Sequence, residues 1–169
     1  VLLRRLIARG CTVHCLVERD RRQVERLEDL PGVVPVFSAN AGTAFDAAFN
    51  LAAAGVAPGE RDPGALREGN SGHLAGALSA LAANPPRIFL HAGSWSEYAD
   101  AENEGLIGED HPVLPRTAYG AAKAAAAAEG AALAQSLGIP FAVLRLFHVY
   151  GGGEAPHRLV PQIIARLGP

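Results

Sequence analysis

Apolar side chains recur at helical spacing near the start of the chain (Leu2, Leu3, Leu6 and Ile7), and Gly10 supplies a C-cap. Thr12 to Val17 then reads as a strand. Residues 18–30 are charged, with Val24, Leu27 and Leu30 at helical spacing, so a helix is expected there. Pro31-Gly32 is a turn, and Val33 to Phe37 a second strand. Residues 38–46 carry little pattern. Ala47 to Leu51 is a short apolar strand that runs into the small residues from Ala52 to Val56. A Gly/Pro-rich loop at 58–64 precedes a predicted helix over about 65–83, which Asn84-Pro85-Pro86 breaks. Arg87 to His91 is the next strand, and Gly93 to Thr117 a long polar loop. A helix from Tyr119 to about Leu137 is capped by Gly138. Ile139 to Leu146 is the last strand, Gly151 to Gly153 a turn, and residues 161–167 a terminal helix.

Strands that alternate with helices predict an α/β domain with a parallel sheet and right-handed crossovers. The strands are apolar runs rather than alternating ones, as a sheet covered on both faces requires. The alanine run at 124–128 fits a close-packed helix, alanine being the best helix former.

Composition narrows the function. A chain of 169 residues with 49% hydrophobic content reads as one domain with a real core. A net charge of -2 and no basic run argue against a nucleic-acid partner. No apolar stretch reaches the roughly 18 residues of a membrane span. Cys11 and Cys15 are the only cysteines, which suits two ordinary thiols in a reducing cytoplasm. Methionine is absent and the chain opens inside a predicted helix, so a piece of a longer protein is expected.

Lysine usage singles out one stretch. Lys123 is the only lysine among 15 basic residues, and it follows Tyr119 by four positions. Chance gives that spacing to one of three tyrosines about 2% of the time. On a helix the two side chains share a face, and an ammonium beside a phenol favours the tyrosinate. The bland alternative is a surface i,i+4 pair. Ligands of open α/β sheets sit beyond the carboxyl ends of the strands. There the chain places Ser94 and Ser96, Phe147 and His148, and the small residues Ala52 and Ala53. Ser94 could equally be a turn serine and His148 a structural histidine. Glu109, Asp110 and His111 read as a solvated loop, so no metal is expected.

These residues match a family pattern. Tyr119-x-x-x-Lys123, the upstream Ser94-Trp-Ser-Glu-Tyr98, the two-proline approach Glu109 to Pro115, Asn70 at the start of a helix, and Leu144-Arg-Leu-Phe-His-Val-Tyr-Gly151 resemble the extended short-chain dehydrogenase/reductases. Within them the likeness is to the NAD(P)-dependent epimerase/dehydratase branch that acts on nucleotide sugars. The resemblance implies a Rossmann-like, doubly wound parallel sheet. It also implies that residues 1–169 are a partial NAD(P)-binding domain. The family's first strand and glycine-rich turn lie outside this sequence, and so does its C-terminal substrate domain. The strand of residues 12–17 is then expected to lack a neighbour. His148 stands where the family usually has asparagine, and His73 where it has glycine.

The activity implied is hydride transfer between a nucleotide sugar and NAD or NADP. Tyr119 acts as base, Lys123 supports its anion, and Ser94 bonds the reacting oxygen. Ser94, Ser96 and His148 are the implied substrate contacts. The implied cofactor contacts are Glu18, Arg19, Ala52, Ala53, Tyr119, Lys123 and Phe147. Glu18 favours NAD and Arg19 favours NADP, and the adjacent pair leaves the choice open. The implied enzyme is cytoplasmic, binds neither nucleic acid nor membrane, and is free to form a homodimer. Two other readings stay open: a non-catalytic NAD(P)-binding module of the same fold, and an inactive fragment.

Overall fold

A computed structural model describes residues 2–16, 27, 30, 32–36, 43–56, 59–60, 62–101 and 105–168. The helix expected over 18–30 lies outside them except at Leu27 and Leu30, and residues 38–42 lie outside them too. Helix α1 (Leu2–Ala8) lies beside strand β1 (Val13–Leu16), whose Val13 is buried. Strand β2 (Val33–Val36) pairs in parallel with β1, Val13 opposite Val33.

Strands β3 (Ala47–Asn50), β4 (Ile88–Ser94) and β5 (Phe141–Leu146) form a second parallel sheet in the order β3-β4-β5. The parallel α/β expectation holds, with the sheet in two pieces among the described residues. There, no ladder joins β1 to β3, although His14 meets Phe45 edge-on at 5.2 Å between ring centroids. Among the described residues, strand β1 pairs with β2 alone.

The helix predicted over 65–83 is interrupted. Helix α2 (Pro63–Arg67) starts two residues early, because Asp62 caps it by accepting from the Ala65 amide at 2.7 Å and Pro63 fits the first turn. A π turn (Glu68–Gly72) then leads into α3 (His73–Leu81). Asn70, buried, donates its side-chain amide to the Leu66 carbonyl at 2.7 Å and to the Ala54 carbonyl at 3.3 Å. A side chain competing for a helix carbonyl widens the ladder at that point. Here it also ties the helix to the loop after β3.

Strand β4 runs three residues beyond its predicted end. Its ladder with β5 continues through Ala92–Leu144 and Gly93–Arg145 to Ser94–Leu146. A short 3₁₀ turn (Trp95–Glu97) follows. The long loop beyond it closes on itself through a Tyr98–Val113 bridge and an Ala99 amide bonded to the Pro112 carbonyl at 2.8 Å. Helix α4 (Ala118–Ser136) returns the chain to the sheet, and α5 (Leu159–Leu167) is the last element. None of these helices is long and apolar enough to cross a membrane.

The core lies between α3, α4 and the three-stranded sheet. Leu74, Leu78 and Leu81 meet Ala126 and Ala134, with Phe89 and Ile139 beneath. Small residues on α4 let it lie close. A Cβ added at Gly130 would stand 2.5 Å from Leu74 Cδ2 and 3.2 Å from Phe141 Cζ. Gly130→Val should therefore lower stability by about 1–3 kcal/mol through overpacking. Gly76→Ala, on the open face of α3 with nothing within 4 Å, should raise it by about 0.5–1 kcal/mol. Urea unfolding of both variants checks the opposite signs; a harmless Gly130→Val would mean that the helix stands off the sheet.

Candidate active site

Two elements meet to build the site: the 3₁₀ turn after β4 and the first turn of α4. Thr117, in extended backbone, caps α4 by accepting the Gly120 amide at 2.9 Å. The turn approaches so closely that a Cβ at Gly120 would collide with the Ser96 carbonyl oxygen. Tyr119 is thereby held against the end of β4. It lines a cleft of about 460 Å³ together with Ser94, Trp95, Ser96, Gly55 and Arg158.

Ser94 is the last residue of β4 and is buried. Its hydroxyl lies 2.8 Å from that of Ser96. Burial raises the Tyr119 phenol above its ordinary value, and the Glu97 charge adds to the rise; a bond from Ser94 and the charge of Arg158 pull against it. The groups that lower it are thus Ser94 and Arg158, whereas the sequence points to Lys123 for that role. Lys123 lies one helical turn deeper than Tyr119 and is 1% exposed. Burial pushes its ammonium down from the usual range, and Glu97 pushes it back up.

Glu97 is the residue that sequence reasoning passed over. It is fully buried, accepts the Ser94 amide through Oε1 at 2.6 Å, and accepts Arg145 Nε through Oε2 at 2.8 Å. With Ser94 it forms a capping box on the 3₁₀ turn. That Ser-x-x-Glu spacing was the available signal.

A second polar chain runs across the sheet. Asn50, at the end of β3, donates its amide to His91 Nδ1 at 3.2 Å and accepts the Ala52 amide at 3.2 Å. His91 is fully buried, and its Nε2 has no partner among the described residues. Burial, aided by the Lys123 charge, pushes the imidazole down to about 4. The pair fixes where the backbone turns after β3. From Asn50 the chain runs through Leu51 to Gly55, which has φ +85°. A Cβ at Gly55 would stand 3.0 Å from Tyr119 Cδ2 and 2.5 Å from Leu66 Cδ2.

The other residues singled out in the sequence are placed less centrally. Ala52 and Ala53 are exposed on the loop after β3, outside the cleft lining. Phe147 is half exposed beyond β5, its ring 6.5 Å from that of Tyr98. His148 packs on Trp95 with ring centroids 5.1 Å apart, at the cleft's edge rather than in its lining. Glu18 and Arg19 lie outside the described residues. Among the described residues no cluster of three or more His, Cys, Asp or Glu could hold a metal.

The small residues Ala52 and Ala53, exposed just beyond β3, and Gly55, packed too closely on Leu66 and Tyr119 for a Cβ, are the residues that could hold the nicotinamide end of a dinucleotide.

Known proteins share this arrangement of elements. A profile of the NAD dependent epimerase/dehydratase family matches residues 1–168. An 80-residue stretch is 32% identical to a trifunctional UDP-glucose 4,6-dehydratase/UDP-4-keto-6-deoxy-D-glucose 3,5-epimerase/UDP-4-keto-L-rhamnose-reductase of Arabidopsis thaliana, covering 46% of this chain and 12% of that protein. The fold is similar to a UDP-glucuronic acid 4-epimerase from Bacillus cereus solved with UDP-glucuronic acid and NAD. That match has a TM-score of 0.68 and 22% identity over 86% of this chain and 49% of the other. It is also similar to DesIV, a dTDP-glucose 4,6-dehydratase from Streptomyces venezuelae, with a TM-score of 0.77 and 19% identity over 98% of this chain and 57% of the other. The chain thus spans about half the length of these solved structures.

The buried histidine gives a test of the site's architecture. Between the unfolded value of 6.5 and the folded value of about 4, the unfolded chain binds a proton that the folded chain does not. Stability therefore falls as pH drops through that window, by about 3 kcal/mol once both forms are protonated. His91→Gln, which keeps an acceptor for Asn50, should flatten the fall in melting temperature between pH 7 and 4. An unchanged slope would mean that His91 is not buried as described.

Proposed function

The chain belongs to the NAD dependent epimerase/dehydratase family, and from that premise we propose that it carries the reacting end of an NAD(P)-dependent oxidoreductase, epimerase or dehydratase of nucleotide sugars. On this reading residues 1–169 are part of a cofactor-binding domain. The observation that carries it is the convergence of Ser94 and Tyr119 on one cleft, with Lys123 buried a turn below. Similar structures solved with NAD and a nucleotide sugar support the choice of ligands.

When bound, the nicotinamide would accept a hydride from a sugar carbon and can return it. The chain's own groups handle the proton. Ser94 donates a hydrogen bond to the sugar oxygen, and Tyr119 Oη takes that oxygen's proton as the carbonyl forms. In the reverse direction the neutral phenol gives the proton back. The upward displacement of Tyr119 suits the donor form. The base form needs added positive charge, which Arg158 supplies in part. Gly55, Ala52 and Ala53 would hold the ring, and Ser96, Trp95 and His148 border the sugar. Moving a tyrosine from about 10 to near 7 takes roughly 4 kcal/mol of anion stabilisation.

Tyr119→Phe in the full-length protein should cut turnover of a nucleotide sugar by about 10² to 10⁴, the usual worth of a positioned acid/base. Cofactor affinity should change little, as equilibrium titration would report. Turnover at the parent rate would rule the mechanism out.

A further inference from the structure

We propose that Trp95 is the platform on which the sugar of the substrate lies, the face of its indole covering one face of the pyranose ring. This rests on the reading of Ser94 and Tyr119 as the reacting groups. Trp95 is the chain's one tryptophan, and it lines the cleft together with both of them.

The setting of the indole separates it from a ring that merely packs a loop. Ser94, Glu97 and Tyr98, its neighbours in and around the 3₁₀ turn, are buried, whereas Trp95 stays 40% exposed. Leaving that much of the largest side chain in water forgoes part of its hydrophobic stabilisation, which a ligand covering it would recover. The turn beneath it is firmly built. Ser94 and Glu97 close a capping box, the Tyr98 amide donates to the Trp95 carbonyl at 3.1 Å, and the Ser96 carbonyl is pressed against Gly120 of α4. From the segment after β5, His148 meets the indole with ring centroids 5.1 Å apart and 37° between the planes. Backbone and His148 thus hold the ring before a ligand arrives, so less freedom is lost on binding.

The surroundings suit a sugar. Ser94, Ser96 and Tyr119 bring hydroxyls to the cleft, and Val56 and Leu66 give it apolar wall. A pyranose has polar edges, where its hydroxyls point outward, and faces made of C–H groups. Hydroxyl side chains take the edges, and a C–H face rests on the electron-rich face of an aromatic ring. An apolar wall joined to a few placed polar groups is the common construction of small-molecule sites. Trp95 then acts on the sugar and not on the nucleotide, so it governs how much more tightly a nucleotide sugar binds than the nucleotide alone.

The test uses the full-length protein with NAD present throughout. The probes are UDP-glucose, UDP-glucuronic acid and dTDP-glucose, which proteins of similar fold bind or act on, with UDP and dTDP as sugarless controls. Calorimetry reports binding, and tryptophan emission, taken as the difference between the parent and Trp95→Phe, reports what reaches the indole. A nucleotide sugar that binds should shift or quench that emission, and UDP or dTDP should not. Trp95→Ala should weaken the nucleotide sugar about tenfold and leave UDP or dTDP affinity unchanged, and Trp95→Tyr, which keeps a ring, should recover most of the loss. Should Trp95→Ala not fold, the emission of the parent still decides. A nucleotide sugar that binds without moving the emission, or whose affinity survives Trp95→Ala, overturns the platform and leaves Trp95 as packing for His148. If none of the three binds, the proposed function itself fails, and the platform falls with it.

Discussion

The site depends on how closely the first turn of α4 can press against the Ser96 carbonyl. Gly120 makes that contact possible, because any side chain there would collide with the carbonyl oxygen. The contact brings a helix residue, Tyr119, to a strand-end residue, Ser94, although they are far apart in sequence. Close packing of small residues continues down α4 through Ala126 and Gly130 to the sheet. A helix free to shift by an ångström would lose the alignment, and misplacement on that scale weakens catalysis steeply.

The same closeness creates an electrostatic problem. Lys123 and Glu97 are both removed from water, and each would be costly alone. Together they constrain one another. Glu97 favours the lysine's cation, but its charge also disfavours the tyrosinate. Arg158, which also lines the cleft, acts in the opposite sense on Tyr119. The Tyr119 proton is therefore set from two separate parts of the chain, the turn after β4 and Arg158 beyond β5.

Local pattern made much of this legible. Spacing alone put Tyr119 and Lys123 on one helical face, and the strand end pointed to Ser94. What escaped was non-local. Glu97 looked like a loop residue because its partner Arg145 is 48 positions away. The π turn was hidden because Asn70 breaks the helical ladder with its side chain, which hydrophobic periodicity does not register. The break between the two sheets depends on strand pairing, and short apolar runs carry no label for their neighbours. Ala52, Ala53, Phe147 and His148 follow the carboxyl ends of β3 and β5, which is all that strand ends predict; which residues line the cleft is decided by side-chain packing.

The mechanism stands or falls on whether Ser94 and Tyr119 share one reacting oxygen. A crystal structure of the full-length protein with NAD and a nucleotide sugar tests this most directly. A sugar oxygen within about 2.6–3.2 Å of both Ser94 Oγ and Tyr119 Oη is the predicted result. A sugar seated away from both hydroxyls, with Tyr119 turned out of the cleft, would contradict it.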